Sequence, residues 1–429
     1  MSNPLPPGAR RIEDLVVTPT TRLVATTVRA RDDVDLLSVA GSAGVVFARG
    51  DHGLAGRGQA LRLDLPSGAG RLAAAADQVH AALATIERRD EVGLPGCGPV
   101  AFAALPFSDD VPASVVVPRV AVGRTDDGTR WITTVDPVGA ASLAPLAPAS
   151  EATPLPTSFR VTASRTPSAW CEAVAQAVVA LRAGSAAKVV LAREVVVEAD
   201  APFDPITILR RLAASAPSAS MVYAVDGLIG ASPELLVSRI GDIVRSHPMA
   251  GTTARTGDPS VDARLAATLL ASAKDRAEHQ ITIDTVLDTV LPFCSFVDSE
   301  PEPSIAAAGN VQHLASLVEG RLSSPPVSVL ALVAALHPTP AVCGWPRAAA
   351  RTLIERLEDL DRGRYAGAVG WVDADGNGRF AVAIRGVELD GCRARILAGN
   401  GIMADSDPAT ELDETRAKLQ AVLAAVVRP

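Results

Sequence analysis

The sequence predicts a mixed α/β fold of the α+β kind, made of antiparallel hairpins separated by long helices and not of strictly alternating βαβ units. Three observations predict it. Short β-branched runs recur as neighbours, Asp-Gly and Gly-Asp dipeptides that suit tight hairpin turns close them, and helix-length stretches lie between. With 429 residues, 48% of them hydrophobic, the chain can bury a large core, as one large domain or two to three ordinary ones.

Local pattern orders the elements. First come the strand-like runs GVVFARG, VAFAALPF and SVVVPRVAVG, with one helix-like run, GRLAAAADQVHAALATIERR. LAPLAPASEATPLPTS, residues 143–158, is rich in Pro, Ala, Ser and Thr and marks the clearest break. It separates a part at 1–157 from a more regularly alternating part at 158–429. There SAWCEAVAQAVVALRAG reads as a helix closed by Gly184, and KVVLAREVVVEA as a strand. DPITILRRLAASA reads as a helix with Asp204 at its N-cap. Residues 221–252 read as successive strands turned at Asp226-Gly227 and Gly241-Asp242, and a long helix is expected over 260–292. YAGAVGWVDADGNGRFAVAIRGVELDGCRARILAGNGI reads as a three-strand meander with turns at DADGNG and Asp390-Gly391. The last helix is expected from Asp407-Pro408.

Composition excludes several classes. A net charge of −8 with 3% aromatics argues against nucleic-acid binding, and no polybasic patch suits an anionic membrane. The five cysteines are scattered without a CxxC, which fits free thiols in a reducing cytosol and no zinc site. The first residues lack an apolar h-region, and no apolar run is long enough to span a bilayer. A cytoplasmic protein is expected.

Two acidic pairs point to chemistry. Glu411, Glu414 and Lys418 in DPATELDETRAKL are spaced i, i+3, i+7, so on a helix they share a face. Asp275 and Glu278 in LLASAKDRAEHQITIDTVL repeat the i, i+3 spacing. Such pairs can be two halves of one hard-cation site, since Mg²⁺ takes few protein carboxylates and leaves room for water and an anionic substrate. Two solvated helix faces would show the same pattern.

Other residues stand out singly. Glu234 begins a strand in GASPELL, where Pro233 fixes the backbone ahead of it; it is a candidate acid or base, or an exposed edge-strand Glu. Lys188 opens KVVLAR on the face shared by Val190 and Ala192, where desolvation favours the neutral amine of a general base; a Lys snorkelling from a strand end is the alternative. Arg385 stands on an otherwise apolar strand and needs an anionic partner, from a ligand or from a structural carboxylate. Gly399 and Gly401, in Gly-Asn-Gly-Ile, can let backbone amides approach an anion or simply serve a strand-to-helix turn. His313 in GNVQHL and Thr252 in MAGT are candidate hydrogen-bonding groups or structural ones.

Together KVVLAR, GASPELLVSR, HPMAGT, LLASAKDRAEH, VQHL, LHPTPAVCGWP, YAGAVGW, AIRG, AGNGI and DPATELDETRAKL run in the order found in the chorismate-utilising enzymes, which the chain resembles over residues 160–429. That family holds isochorismate synthase, salicylate synthase, anthranilate synthase component I and aminodeoxychorismate synthase. The resemblance implies large, mainly antiparallel sheets packed face to face with helices outside. It makes 158–429 the chorismate-binding catalytic part and 1–157 the variable part. It implies Mg²⁺ as cofactor, contacted by Glu278 and Glu414, with Asp275 and Glu411 supporting directly or through water. Lys418, Arg385, Tyr365 and the amides at Gly399 and Gly401 are implied as carboxylate binders. Thr252, after Gly251, is implied near the C4 hydroxyl of the substrate, and His313 and Ala341 belong to the same substrate site.

Lys188 separates the members. Those that add ammonia have Gln at this position and those that add water have Lys. Lys188 is therefore implied as the base and Glu234 as the acid of an isomerase, isochorismate synthase. Ala341 in LHPTPAVCG, with VGW and AIR, resembles isochorismate synthases, whereas salicylate synthases tend to carry Thr near there. Salicylate synthase, which also eliminates pyruvate, is the runner-up, and a non-catalytic chorismate binder ranks below it. Lys188 argues against an amination subunit, so no amidotransferase partner is implied, and the family implies a monomer. Isochorismate serves menaquinone and siderophore biosynthesis. Asn400 departs from the Ala or Gly common there; Asn tolerates unusual φ, so the turn can survive, and its amide can also contact substrate or narrow the pocket.

Overall fold

This computed structural model describes residues 22–139 and 155–428, apart from 32, 66 and 69. The start of the chain and most of the break at 143–158 lie outside the described residues. Among the described residues, strands gather into sheets of thirteen, nine and three. Neighbouring strands pair antiparallel throughout, apart from Leu23–Arg29 beside Glu87–Asp90. Strands from before the break, such as Val45–Arg49 and Val100–Leu105, sit beside strands from after it in both large sheets.

Side-chain alternation explains the layers. In Val45–Arg49 and Met221–Val225, Val45, Phe47, Met221, Tyr223 and Val225 join Phe102, Val369 and Ala381 of the nine-stranded sheet in one buried cluster. Val46, Ala48, Val222 and Ala224 face the other way, onto Ile208, Leu209, Leu419 and Val422 of two helices. The nine-stranded sheet repeats the pattern, since Ala101, Ala103 and Leu105 turn to the helices that carry Leu72, Val79 and Leu332. Period-two alternation on both sheets thus yields two sheets face to face with helices outside.

Most predicted elements form where local pattern puts them. Lys188–Ala199 is one strand, Pro167–Arg182 is a helix followed by Gly184 at φ 78°, and Pro408–Val426 is a helix capped by Asp407. Asp226 and Gly227 both take positive φ, 50° and 78°, as a two-residue hairpin turn requires.

Two expectations are corrected. The 260–292 helix is two helices, Pro259–Ala271 and Ala273–Val290, because Ser272 adopts an extended backbone and its hydroxyl accepts from the Asp275 amide at 3.2 Å. This N-cap puts Asp275 in a first helical turn, with Glu278 one turn on. The C-terminal meander has four strands in two sheets. Ala368–Asp373 and Gly378–Val382 belong to the nine-stranded sheet, Gly386–Asp390 and Arg393–Ile402 to the thirteen-stranded one. Arg385 therefore does not stand on a strand. It sits at the crossing between sheets with φ 55°.

Candidate active site

Two crossings between the large sheets lie side by side and create the site. The chain leaves the thirteen-stranded sheet after Ser232 and joins the nine-stranded one at Leu235; it returns between Val382 and Gly386. Backbone bonds join the crossings: Val382 N donates to Glu234 O, and Ala231 N to Arg385 O, both at 3.1 Å. Glu234 and Arg385 thus come to line one cleft.

The cleft also gathers Gly251, Thr252, Glu278, His313, Ala341, Tyr365, Gly399, Gly401 and Lys418. Lys188, Asp275, Glu411 and Glu414 stand just behind its wall. Lys188 is 1% exposed and its Nζ lies 2.8 Å from Glu278 Oε1. Asp275 lies against Gly251, where a Cβ would stand 3.3 Å from its Oδ1.

The Gly399 and Gly401 expectation changes in kind. They lie inside the strand Arg393–Ile402, opposite Ala192 and Val190, not in a turn before the helix. Glycine is required there for space: a Cβ on Gly399 would stand 2.6 Å from Leu191 O, and one on Gly401 2.3 Å from Glu278 Oε1. Pairing with Gly386–Asp390 ends at Val387 opposite Ile396, which leaves the following backbone open along that edge. Asn400, on the opposite face of the pleat, does not line the cleft. Its amide donates to Glu411 O at 2.7 Å and Glu411 Oε2 at 3.0 Å, and its oxygen accepts from Lys418. It ties strand to helix and leaves the substrate space alone.

Burial sets the protonation states. Glu234 is 4% exposed, and burial raises its carboxyl to about 8, against the opposing charge of Lys188. It therefore holds a proton at neutral pH. Burial, reinforced by Arg385 and Lys418, lowers His313 to about 3, so its ring is neutral. Arg385 Nη2, which can only donate, lies 3.3 Å from His313 Nε2. That assigns the ring proton to Nδ1, which lies 3.0 Å from Gly251 O and 3.1 Å from Thr252 Oγ1. His313 is thus a fixed acceptor that orients Arg385. Among the described residues Arg385 Nη1 is buried without a hydrogen-bond partner, which leaves a donor available to an anion. Burial pushes the Tyr365 hydroxyl up to about 12, so it too remains a donor.

The acidic pairs are already engaged. Lys418 donates to Glu414 Oε1 at 2.6 Å, Gly399 O at 2.9 Å and Asn400 Oδ1 at 3.0 Å, which uses its three protons. Burial would raise Glu414, but Lys418 outweighs it and holds the carboxyl below its ordinary range. Burial and the Glu414 charge push Glu411 up to about 7. Among the described residues no three His, Cys, Asp or Glu side chains form a ready-made metal cluster. The candidate ligands Asp275, Glu278, Glu411 and Glu414 all offer carboxylate oxygens, and the repulsion by which Glu414 raises Glu411 is one that a hard divalent ion would relieve.

One functional pair escaped the sequence reading. Glu358 and Arg362, both under 4% exposed, pair at i, i+4. Arg362 donates to Val342 O and Val190 O, both at 2.8 Å, and Glu358 accepts from Ala192 N at 2.7 Å. The pair holds two stretches of cleft wall in place. Its i, i+4 spacing at a helix end was a visible signal, shared with any surface pair.

Comparison with known proteins gives the family. The profile of the family described as chorismate binding enzyme matches residues 42–427. The chain belongs to that family. A Mycobacterium tuberculosis relative, provisionally named isochorismate synthase MenF, is 40% identical over 347 residues, 77% of this chain and 87% of its own. The Bacillus subtilis isochorismate synthase DhbC is 41% identical over 271 residues, 61% of this chain and 68% of its own. A Bacillus anthracis crystal structure, of a protein provisionally named 2,3-dihydroxybenzoate-specific isochorismate synthase, superposes with a TM-score of 0.76 at 30% identity. It covers 91% of this chain and 98% of its own. The family match runs from 42 to 427 and so spans both sides of the break, whereas the motifs lie within residues 160–429.

Proposed function

We propose that this chorismate-binding enzyme is a Mg²⁺-dependent isochorismate synthase, an isomerase that moves the hydroxyl of chorismate from C4 to C2. The observation that carries the reading is the pair Glu234 and Lys188: a carboxyl that keeps its proton up to about 8 faces the cleft, and a buried lysine stands behind its Gly401 wall. In the form that reacts Lys188 is the neutral amine, and it takes a proton from water as the water oxygen bonds to C2. The ring double bonds shift, the C4–oxygen bond breaks, and Glu234 protonates the leaving hydroxyl. One water enters and one leaves, so the net reaction is an isomerisation. Each proton transfer contributes roughly 10²–10⁴-fold.

Arg385 Nη1, the Tyr365 hydroxyl and the open backbone edge at Gly399 and Gly401 supply donors for the carboxylates. Glu278 and Glu414 would hold Mg²⁺, with Asp275 and Glu411 behind them. Bound there, the ion offsets the charge of the ring carboxylate. We place the enzyme in the cytoplasm, acting without an amidotransferase. No helix among the described residues is long and apolar enough to cross a membrane.

The test is purified protein with chorismate, with and without Mg²⁺, products resolved by mass spectrometry. Isochorismate formed only with Mg²⁺ supports the reading. Salicylate with pyruvate replaces it by salicylate synthase. Saturable chorismate binding without turnover replaces it by a non-catalytic binder.

A further inference from the structure

We propose that a second cavity beside the active site is a vestibule that gathers the organic dianion and passes it to Arg385. The inference rests on the function proposed above only for the identity of the dianion. The cavity measures about 490 Å³ and shares Pro233 and Arg385 with the active-site cleft. Among the described residues its charged lining is Arg211, Arg255, Arg385 and Arg428, with no Asp or Glu. In a chain with 48 acidic and 40 basic residues, this is a local inversion of charge.

The arginines are poorly neutralised. Arg211 donates to backbone carbonyls, Ala425 O at 3.2 Å and Arg428 O at 2.9 Å, and so keeps its full charge. Arg255 donates to Gly309 O at 3.2 Å; Asp262 lies 3.8 Å away and already accepts from the amides of Thr256 and Gly257. Among the described residues Arg385 Nη1 is buried without a partner, and so is Oδ1 of Asn310, a residue on the same cavity; that oxygen is an acceptor suited to a hydroxyl. Exposure falls from Arg255 and Arg428 at the surface to Arg211 and Arg385 within. Between them lie the buried apolar residues Leu212, Val422 and Ala425. Low-dielectric walls lined by one sign of charge focus the field and raise the association rate of an opposite charge. A small ring bearing two carboxylates and a hydroxyl matches this lining.

The test follows chorismate association by stopped-flow fluorescence, with product analysis on the same preparation, from about 20 to about 300 mM salt. The proteins are wild type, R255Q/R428Q and the charge-keeping R255K/R428K. We expect the Gln variant to associate roughly tenfold more slowly at low salt with a flattened salt dependence. The Lys variant should stay close to wild type, and kcat should hold within about twofold where association is not limiting. Equal association rates and salt slopes in wild type and the Gln variant overturn the vestibule. Steered association without isochorismate overturns the proposed function and leaves the vestibule standing. No chorismate binding by wild type overturns both.

Discussion

Lys188 Nζ lies 2.8 Å from Glu278 Oε1, and Gly401 passes beside both, so that a Cβ there would stand 2.3 Å from the carboxylate oxygen and 2.7 Å from Lys188 Cε. A strand, a helix and a second strand meet at this contact, and it joins the residue proposed as base to a carboxylate proposed for the metal. Glu278 holds the lysine by this ion pair, and Gly401, which lines the cleft, leaves both side chains room because it has no Cβ.

Lys188→Ala should lower turnover by roughly 10²–10⁴-fold, the worth of a positioned proton acceptor. Chorismate affinity should change little, because the carboxylate donors are elsewhere. Steady-state kinetics with calorimetric binding checks this; near-normal turnover would remove Lys188 from the chemistry.

Gly401→Ala separates wall from fold. The added methyl must displace Glu278 and Lys188, with an expected loss of roughly 1–3 kcal/mol of stability. Turnover should fall at least about tenfold in protein that is still folded by circular dichroism. Full activity would show that the wall yields without consequence.

Glu234 carries the pH dependence. Its carboxyl is raised to about 8, so the proton needed by a general acid is present below that pH and lost above it. The rate should therefore decline as pH rises through about 8. Glu234→Gln should remove most activity together with that alkaline limb. A limb that persists unchanged in the residual activity of the variant belongs to another group.

Glu414→Ala should weaken Mg²⁺ and chorismate binding together, and chelation of wild type should abolish turnover reversibly. Mg²⁺ titrations followed by calorimetry, with and without chorismate, read this directly. An unchanged titration would place Glu414 outside the metal shell.

Glu358→Ala leaves Arg362 buried without its carboxylate. Breaking such a pair from one side typically costs about 3–5 kcal/mol. Urea unfolding measures it, and a loss well under about 1 kcal/mol would show that the three backbone contacts of the pair matter little to the fold.

Much of this was legible beforehand where chemistry depends on near neighbours in sequence. The strand face carrying Lys188, the rigid start at Pro233-Glu234, the hairpin turn at Asp226-Gly227 and the i, i+3 acidic pairs are products of alternation, ring constraint and helical pitch. Ser272 was harder to read, because a capping serine inside an amphipathic run looks like any polar helix residue.

The sequence by itself determined most of the strands and helices, many of their buried faces and the residue types available for acid, base and anion binding, because those follow from periodicities of a few residues. Only the tertiary structure decided that Arg385 sits on a crossing and not a strand, that Asn400 turns to Glu411 and not to substrate, and that Lys188 meets Glu278. Those outcomes depend on which strands pair and where the chain changes sheets, contacts between residues up to hundreds of positions apart that no local pattern encodes.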